Sequence, residues 1–274
     1  MDIRGCVTTD AGGRKTHCSD AVVLKIASSG RYGRLGFAVL CDGLDGMKDA
    51  GKASAIVAER FAAWFHGELP AILQRAEQDM RIRERGRESA RMLTEVLSAK
   101  DKRRSYSREL FSLAQIRIRR RLKEIAAELE VRIVGYRRLH GRASGCSATC
   151  LLLMGGDYMV MHIGPSRAYL AADQDLFLLE RDPDVPEHRT SPFGVQENVN
   201  PLFLQGPLRK DTGILLCSDA FLHRQDPDAF RKKINRCVRV SEKRQEMMLR
   251  SLTKAVRRRG EERDAFAVFL TCGT

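Results

Sequence analysis

The sequence predicts an α+β fold of two antiparallel sheets flanked by helices. Apolar runs of strand length open the chain, return in its middle and close it, with helical stretches between them. Successive strands are joined by short connections, as hairpins and antiparallel pairing require. The helical stretches are amphipathic, so each has one face to bury against a sheet.

The elements follow in order. "GCVTTDAG" and "AVVLKIA" read as strands. "SSGRYGRLG" is a turn carrying Gly30, Gly33 and Gly36, and "FAVLC" is the strand after it. From Met47 to Phe65 the spacing of Ala50, Ala53, Ile56, Val57, Phe61, Trp64 and Phe65 predicts a helix with one apolar face. Long helices are expected from Ile72 to about Leu139, broken near "SAKDKRRSYS". In the second of them Leu110, Leu113, Ile118, Leu122, Ile125, Leu129 and Ile133 form the buried stripe. Strands resume at "CSATCLLLMGG", "YMVMHIG", "SRAYLAA" and "DLFLLE". Arg181 to about Pro207 reads as an irregular loop, "TGILLCSDAF" as a buried strand, Pro227 to Arg259 as helices, and "DAFAVFLTC" as the closing strand. The whole, 1–274, is expected to be a single domain.

The composition, 43% hydrophobic and 30% charged, is that of a soluble globular protein. No apolar run approaches the roughly 18 residues of a membrane span, and "MDIRGCVTTD" has no secretory h-region. Eight cysteines, with no CxxC pair, read as free, mostly buried thiols of a reducing cytoplasm. The formal charge of +13 is concentrated: Arg81 to Ala143 carries 19 Lys or Arg against 8 Asp or Glu. The excess therefore belongs to an elongated basic helical segment, 72–143, and not to the whole surface. Arg117, Arg119, Arg120 and Arg121 crowd its polar side and form a candidate partner surface. A nucleic-acid-binding module is the weakest reading. The segment has few aromatics (Tyr106, Phe111 and Tyr136) and no RNA or DNA motif.

Chemistry points to the aspartates. Asp42 follows "FAVLC", Asp219 follows "ILLCS", Asp264 precedes "AFAVFL" and Asp20 precedes "AVVLKI". Strand ends on a packed core hold ligands rigidly. Carboxylates converging there raise one another's pKa unless a cation lies between them. An all-oxygen set of this kind selects a hard ion such as Mg²⁺ or Mn²⁺. Gly43, next to Asp42, lets the backbone approach such an ion.

Six stretches, in order, resemble the motifs of the metal-dependent protein Ser/Thr phosphatases (the PPM, type 2C family): "DAGGRKTHCSDA", "VLCDGLDGMKDAGKASA", "GCSATCLLL", "HIGPSRAYL", "GILLCSDAF" and "RDAFAVFL". The resemblance implies a four-layer αββα sandwich, two antiparallel β-sheets flanked by helix pairs, with a short flap. It implies hydrolysis of phosphoserine or phosphothreonine by water at a binuclear Mg²⁺ or Mn²⁺ site. Asp42 would bridge the ions and Gly43 would lend its carbonyl. Asp219 and Asp264 would complete the protein ligands, and Asp20 would hold water behind them. Lys15 stands at the family's phosphate-binding arginine, with Arg14 beside it. The implied partner is a phosphorylated protein, a kinase or its target.

Several positions depart from the family pattern. Pro165 replaces the aspartate that helps hold a third ion, so that site is expected to be absent or altered. Ser19 replaces an acidic residue, Asp45 a glycine, Ala220 a glycine, and Ala265 an Asn or Asp. These departures motivate a second reading, a non-catalytic relative that binds or regulates a kinase or phosphoprotein. Ser166 and Ser218 read as structural hydroxyls.

Overall fold

The structure, a computed structural model, describes residues 2–13, 18–87, 99–180 and 190–273. Two five-stranded antiparallel sheets face each other. One runs β1 (Asp2–Asp10), β10 (Ala265–Gly273), β9 (Thr212–Cys217), β6 (Arg167–Ala172), β7 (Asp175–Leu178). The other runs β2 (Ala21–Ser29), β3 (Gly33–Gly43), β4 (Cys146–Met154), β5 (Asp157–Ile163), β8 (Leu202–Pro207). Helices α1 (Ala50–Gly67), α2 (Leu69–Arg87) and α3 (Ala99–His140) cover the second sheet. Helices α4 (Asp219–Leu222), α5 (Pro227–Cys237) and α6 (Glu242–Arg258) cover the first. This is the expected four-layer sandwich. Among the described residues no helix is long and apolar enough to cross a membrane.

Side-chain alternation explains the layering. In β3, Phe37, Val39 and Cys41 join the core under α1–α3, while Ala38 and Leu40 join the core between the sheets. Phe37 stacks on Phe65 with ring centroids 4.7 Å apart and meets Trp64 at 5.9 Å, which fixes α1 on β3. In β10, Phe266, Val268 and Leu270 face the other sheet, and Ala265, Ala267 and Phe269 face α4–α6.

Buried polar ties place the helices. Glu77 of α2 accepts from Arg31 at 2.9 Å, Tyr106 at 2.8 Å and Arg81 at 3.1 Å, so one carboxylate joins the β2–β3 turn, α2 and α3. Asp49, just before α1, accepts from Tyr136 of α3 at 3.0 Å. Helix α5 starts on Asp226, whose side chain accepts from Ala229 N at 2.7 Å, with Pro227 in the first turn, where its missing N–H costs nothing.

Three expectations are corrected. The helix expected from Ile72 begins at Leu69, because Pro70 falls in the first turn, where proline is tolerated. The break expected near Ser98–Ser107 is not found from Ala99 onward. There α3 is continuous, anchored by Tyr106 and by Ser107, whose hydroxyl donates to Tyr32 O at 2.9 Å. The irregular loop ends earlier than expected, since Leu202–Pro207 is the edge strand β8, paired with Asp157–His162 of β5. Pro207 sits at its end, as proline in an edge strand must. Of that loop, Arg181–Arg189 lie outside the described residues.

Candidate active site

The three central aspartates reach one place by register. Ala21 pairs with Cys41 across β2–β3, so the next rung sets Asp20 against Asp42. Alternation puts both on the side that faces the other sheet. Asp264, one residue before β10, has the same parity as Phe266 and Val268, and so enters the same cleft. Asp219 follows β9, whose Cys217 pairs with Ala267. All four therefore lie at one end of the sandwich, at the mouth of the core between the sheets.

Asp20 and Asp42 are a pair of carboxyl groups facing each other in a half-buried cleft. Asp42 accepts the amide of Asp219 at 3.1 Å. Asp20 accepts the amide of Gly43 at 3.1 Å through Oδ1. Its Oδ2 is buried and has no hydrogen-bond partner among the described residues. Burial, followed by the charge of Asp42, pushes the Asp20 carboxyl far above the usual carboxylate range. Burial also raises Asp42, to about 6, against the lowering effect of the Asp219 amide. Gly43 is where Ser19 passes: a Cβ there would stand 2.3 Å from Ser19 O. The glycine thus sets the distance between the strand end and the incoming loop.

The other two aspartates are engaged by the protein. Asp264 is buried. It accepts Gly12 N at 2.8 Å on one oxygen, and both Ser19 N and Ser19 Oγ at 2.6 Å on the other. It so ties both ends of the loop that carries Arg14 and Lys15, two residues outside the described set. Asp219 is half exposed and pairs with Arg263 Nη1 at 2.9 Å. Arg263 is also held by Glu261, through Nε at 3.1 Å and Nη2 at 3.0 Å, and its Nη1 is 3.7 Å from Asp45. Glu261 is buried. Two arginine side-chain bonds, two backbone amides and His223 hold its carboxyl down at about 2 against its burial.

Does this arrangement suit a divalent cation? On the Asp20–Asp42 side it does. The donors are all oxygen, one carboxylate oxygen is buried without a partner among the described residues, and the charge of Asp42 raises Asp20. On the Asp219–Asp264 side the protein's own donors stand at the carboxylates. Among the described residues no group of three or more His, Cys, Asp or Glu is gathered as a metal centre. Arg263 and Glu261 were not singled out in the sequence. The only signal was the charged run "EERD" before the last strand.

The remaining candidates lie elsewhere. Pro165 stands in the β5–β6 turn. Ser166 is fully buried and bonded to Thr149 Oγ1 at 2.7 Å, which in turn meets His162 Nδ1 at 2.9 Å. Ser218 is fully buried and accepts Phe266 N at 3.0 Å, which fits a structural hydroxyl. Seven of the eight cysteines are buried, Cys18 is exposed, and all are free. On α3, Arg117 pairs with Asp79 at 2.7 Å, and Arg119 reaches Gln205. Arg121 is gripped by Glu68, Glu124 and Glu128, while Arg120 is exposed.

No protein-family model matches the chain, and no curated protein matches it. Its fold does match solved structures end to end. The serine/threonine phosphatase Stp1 from Staphylococcus aureus aligns with a TM-score of 0.66 and 15% identity, over 100% of this chain and 96% of that one. The Mycobacterium tuberculosis serine/threonine phosphatase PstP/Ppp aligns at 0.59 and 16%, covering 99% of each. PppA, a key regulatory component of T6SS in Pseudomonas aeruginosa, aligns at 0.60 and 17%, over 98% and 97%. The chain has the fold of these bacterial serine/threonine phosphatases.

Proposed function

We propose that the protein is a metal-dependent protein phosphatase acting on phosphoserine or phosphothreonine. The observation that carries this reading is the half-buried Asp20–Asp42 pair, with one buried carboxylate oxygen unpartnered among the described residues, at the end of a sandwich shared along its whole length with serine/threonine phosphatases. Two bound Mg²⁺ or Mn²⁺ ions would activate water for attack on phosphorus and neutralise the charge that develops.

The chain's own residues have distinct tasks in this reading. Asp42 and the Gly43 carbonyl hold the ions from a strand end that is locked into a central strand. Asp219 and Asp264 are the further ligands, and Asp20 supports Gly43 while its second oxygen faces the cleft. Lys15, with Arg14, takes the substrate phosphate as a point charge, without the bidentate fork of an arginine at that position. Seven buried thiols suit a cytoplasmic setting. The phosphorylated partner is a protein kinase or its target.

A second reading, a phosphoprotein-binding relative without turnover, is favoured by Arg263 at Asp219 and by Pro165. Manganese-dependent phosphate release from a phosphothreonine peptide, by wild type beside Asp42→Asn, separates the two. The first reading expects release by wild type, none by the variant, and no effect of thiol alkylation. Folded wild-type protein that releases no phosphate with manganese present selects the second.

A further inference from the structure

We propose that Arg263 is a resident cation of the site, and that Asp219 receives a divalent ion only by giving up this guanidinium. The inference rests on the metal-dependent reading above and concerns how that dependence is set.

Arg263 is not a loose surface side chain. Glu261 holds it by a fork of two bonds at 3.1 and 3.0 Å. Glu261 is itself fixed: its side chain is 4% exposed, it accepts the amides of Glu262 and Arg263 at 3.0 Å, and it meets His223. Arg257 braces the same segment by donating to Glu261 O at 2.9 Å and Arg263 O at 2.6 Å. The guanidinium is thus carried by the protein to Asp219, whose side chain is 51% exposed and is the movable partner of the pair. Asp45 lies 3.7 Å from the same Nη1. One fixed positive charge therefore sits among Asp219, Asp45 and Glu261, where charge balance would otherwise draw a cation.

The consequence is a graded site. Among the described residues no positive side chain pairs with Asp42 or Asp20, so an ion there displaces none. An ion at Asp219 must break the 2.9 Å pair and then lie beside a guanidinium that Glu261 keeps in place. Arg263 acts as a competitor and positioning residue and touches neither substrate nor reacting atoms.

The test is manganese binding, counted by electron paramagnetic resonance and titrated by calorimetry, for wild type, Arg263→Gln, Asp219→Asn and the double variant. Removing an exposed pair of this kind tightens the Asp219-dependent ion by roughly two- to fivefold. The gain vanishes when Asp219 is already Asn. Melting temperatures in EDTA check folding, and Arg263→Met repeats the measurement should the glutamine variant not fold. Asp42-dependent manganese binding that both neutral variants leave unchanged, or weaken, overturns the proposal and leaves the phosphatase reading standing. No manganese binding by any form overturns both.

Discussion

Asp264 receives the amide and the hydroxyl of Ser19 on a single carboxylate oxygen, each at 2.6 Å, across 245 residues of chain. With Gly12 N on its other oxygen, the carboxylate closes the loop between them. Ser19→Ala removes one charge-assisted bond to a buried acid and is expected to cost about 1.5–3 kcal/mol. Asp264→Ala should cost more. Denaturant unfolding checks this. Equal stability of wild type and Asp264→Ala would show that the fold does not depend on the clamp.

The Asp20–Asp42 pair makes metal-free stability fall as pH rises. In the native state Asp20 keeps its proton well above the usual carboxylate range, because burial and Asp42 oppose its ionisation. An unfolded Asp loses its proton near pH 4. The native state therefore binds more protons than the unfolded state above that point, and stability drops as pH increases. Asp42, raised to about 6, adds its share over the lower part of that range. Glu180, raised to about 7, acts in the same direction, so the informative quantity is the difference between wild type and Asp20→Asn. In EDTA the variant should melt higher at about pH 8 by on the order of 1 kcal/mol, and the gap should close near pH 4. A gap that does not change with pH would remove Asp20 as its source.

Gly43→Ala tests whether the strand end and the loop must touch. The added Cβ would lie 2.3 Å from Ser19 O and 2.8 Å from Ser19 Cβ, so backbone has to move. The expected loss is about 1–3 kcal/mol, together with weaker manganese binding, since Ser19 and Asp20 shift with the loop. Calorimetric stability equal to wild type would mean the loop yields freely.

Much of this site could be read from the chain before folding, because Asp20, Asp42 and Asp264 flank apolar runs of strand length. Those runs are apolar on both faces, so that the aspartates point between the sheets became legible only with the packed sheets. Arg263 was not legible in this way. Its partner Asp219 lies 44 residues earlier, and only the β9–β10 register brings the two together. The clamp on Ser19 was hidden for the same reason, and a serine in place of an acid reads as a loss until its acceptor is known. Strand β8 escaped because an edge strand with Gly206 and Pro207 has the composition of a loop. The break expected near Ser98–Ser107 mistook charge for a helix end, whereas Lys and Arg are good helix formers.

The basic face of α3 divides into residues that build the fold and residues left for a partner, and two substitutions separate them. Arg121 joins Glu68 at the α1–α2 junction to Glu124 and Glu128 on its own helix, and Arg60 reaches Glu68 and Glu128 as well. A network with a multiply bonded arginine is worth more than an isolated surface pair. Arg121→Ala is therefore expected to cost about 1 kcal/mol at low salt and less at high salt. Arg120 is exposed, and Arg120→Glu should leave stability within about 0.5 kcal/mol of wild type. If this face docks an acidic phosphoprotein, Arg120→Glu slows association with an acidic phosphopeptide and reduces its salt dependence. Arg121→Ala acts on that association only through the melting temperature. Chemical denaturation at two salt concentrations, with peptide association rates for both variants, decides it. A destabilisation by Arg120→Glu as large as that of Arg121→Ala would mean the face is structural throughout, with no separate docking surface.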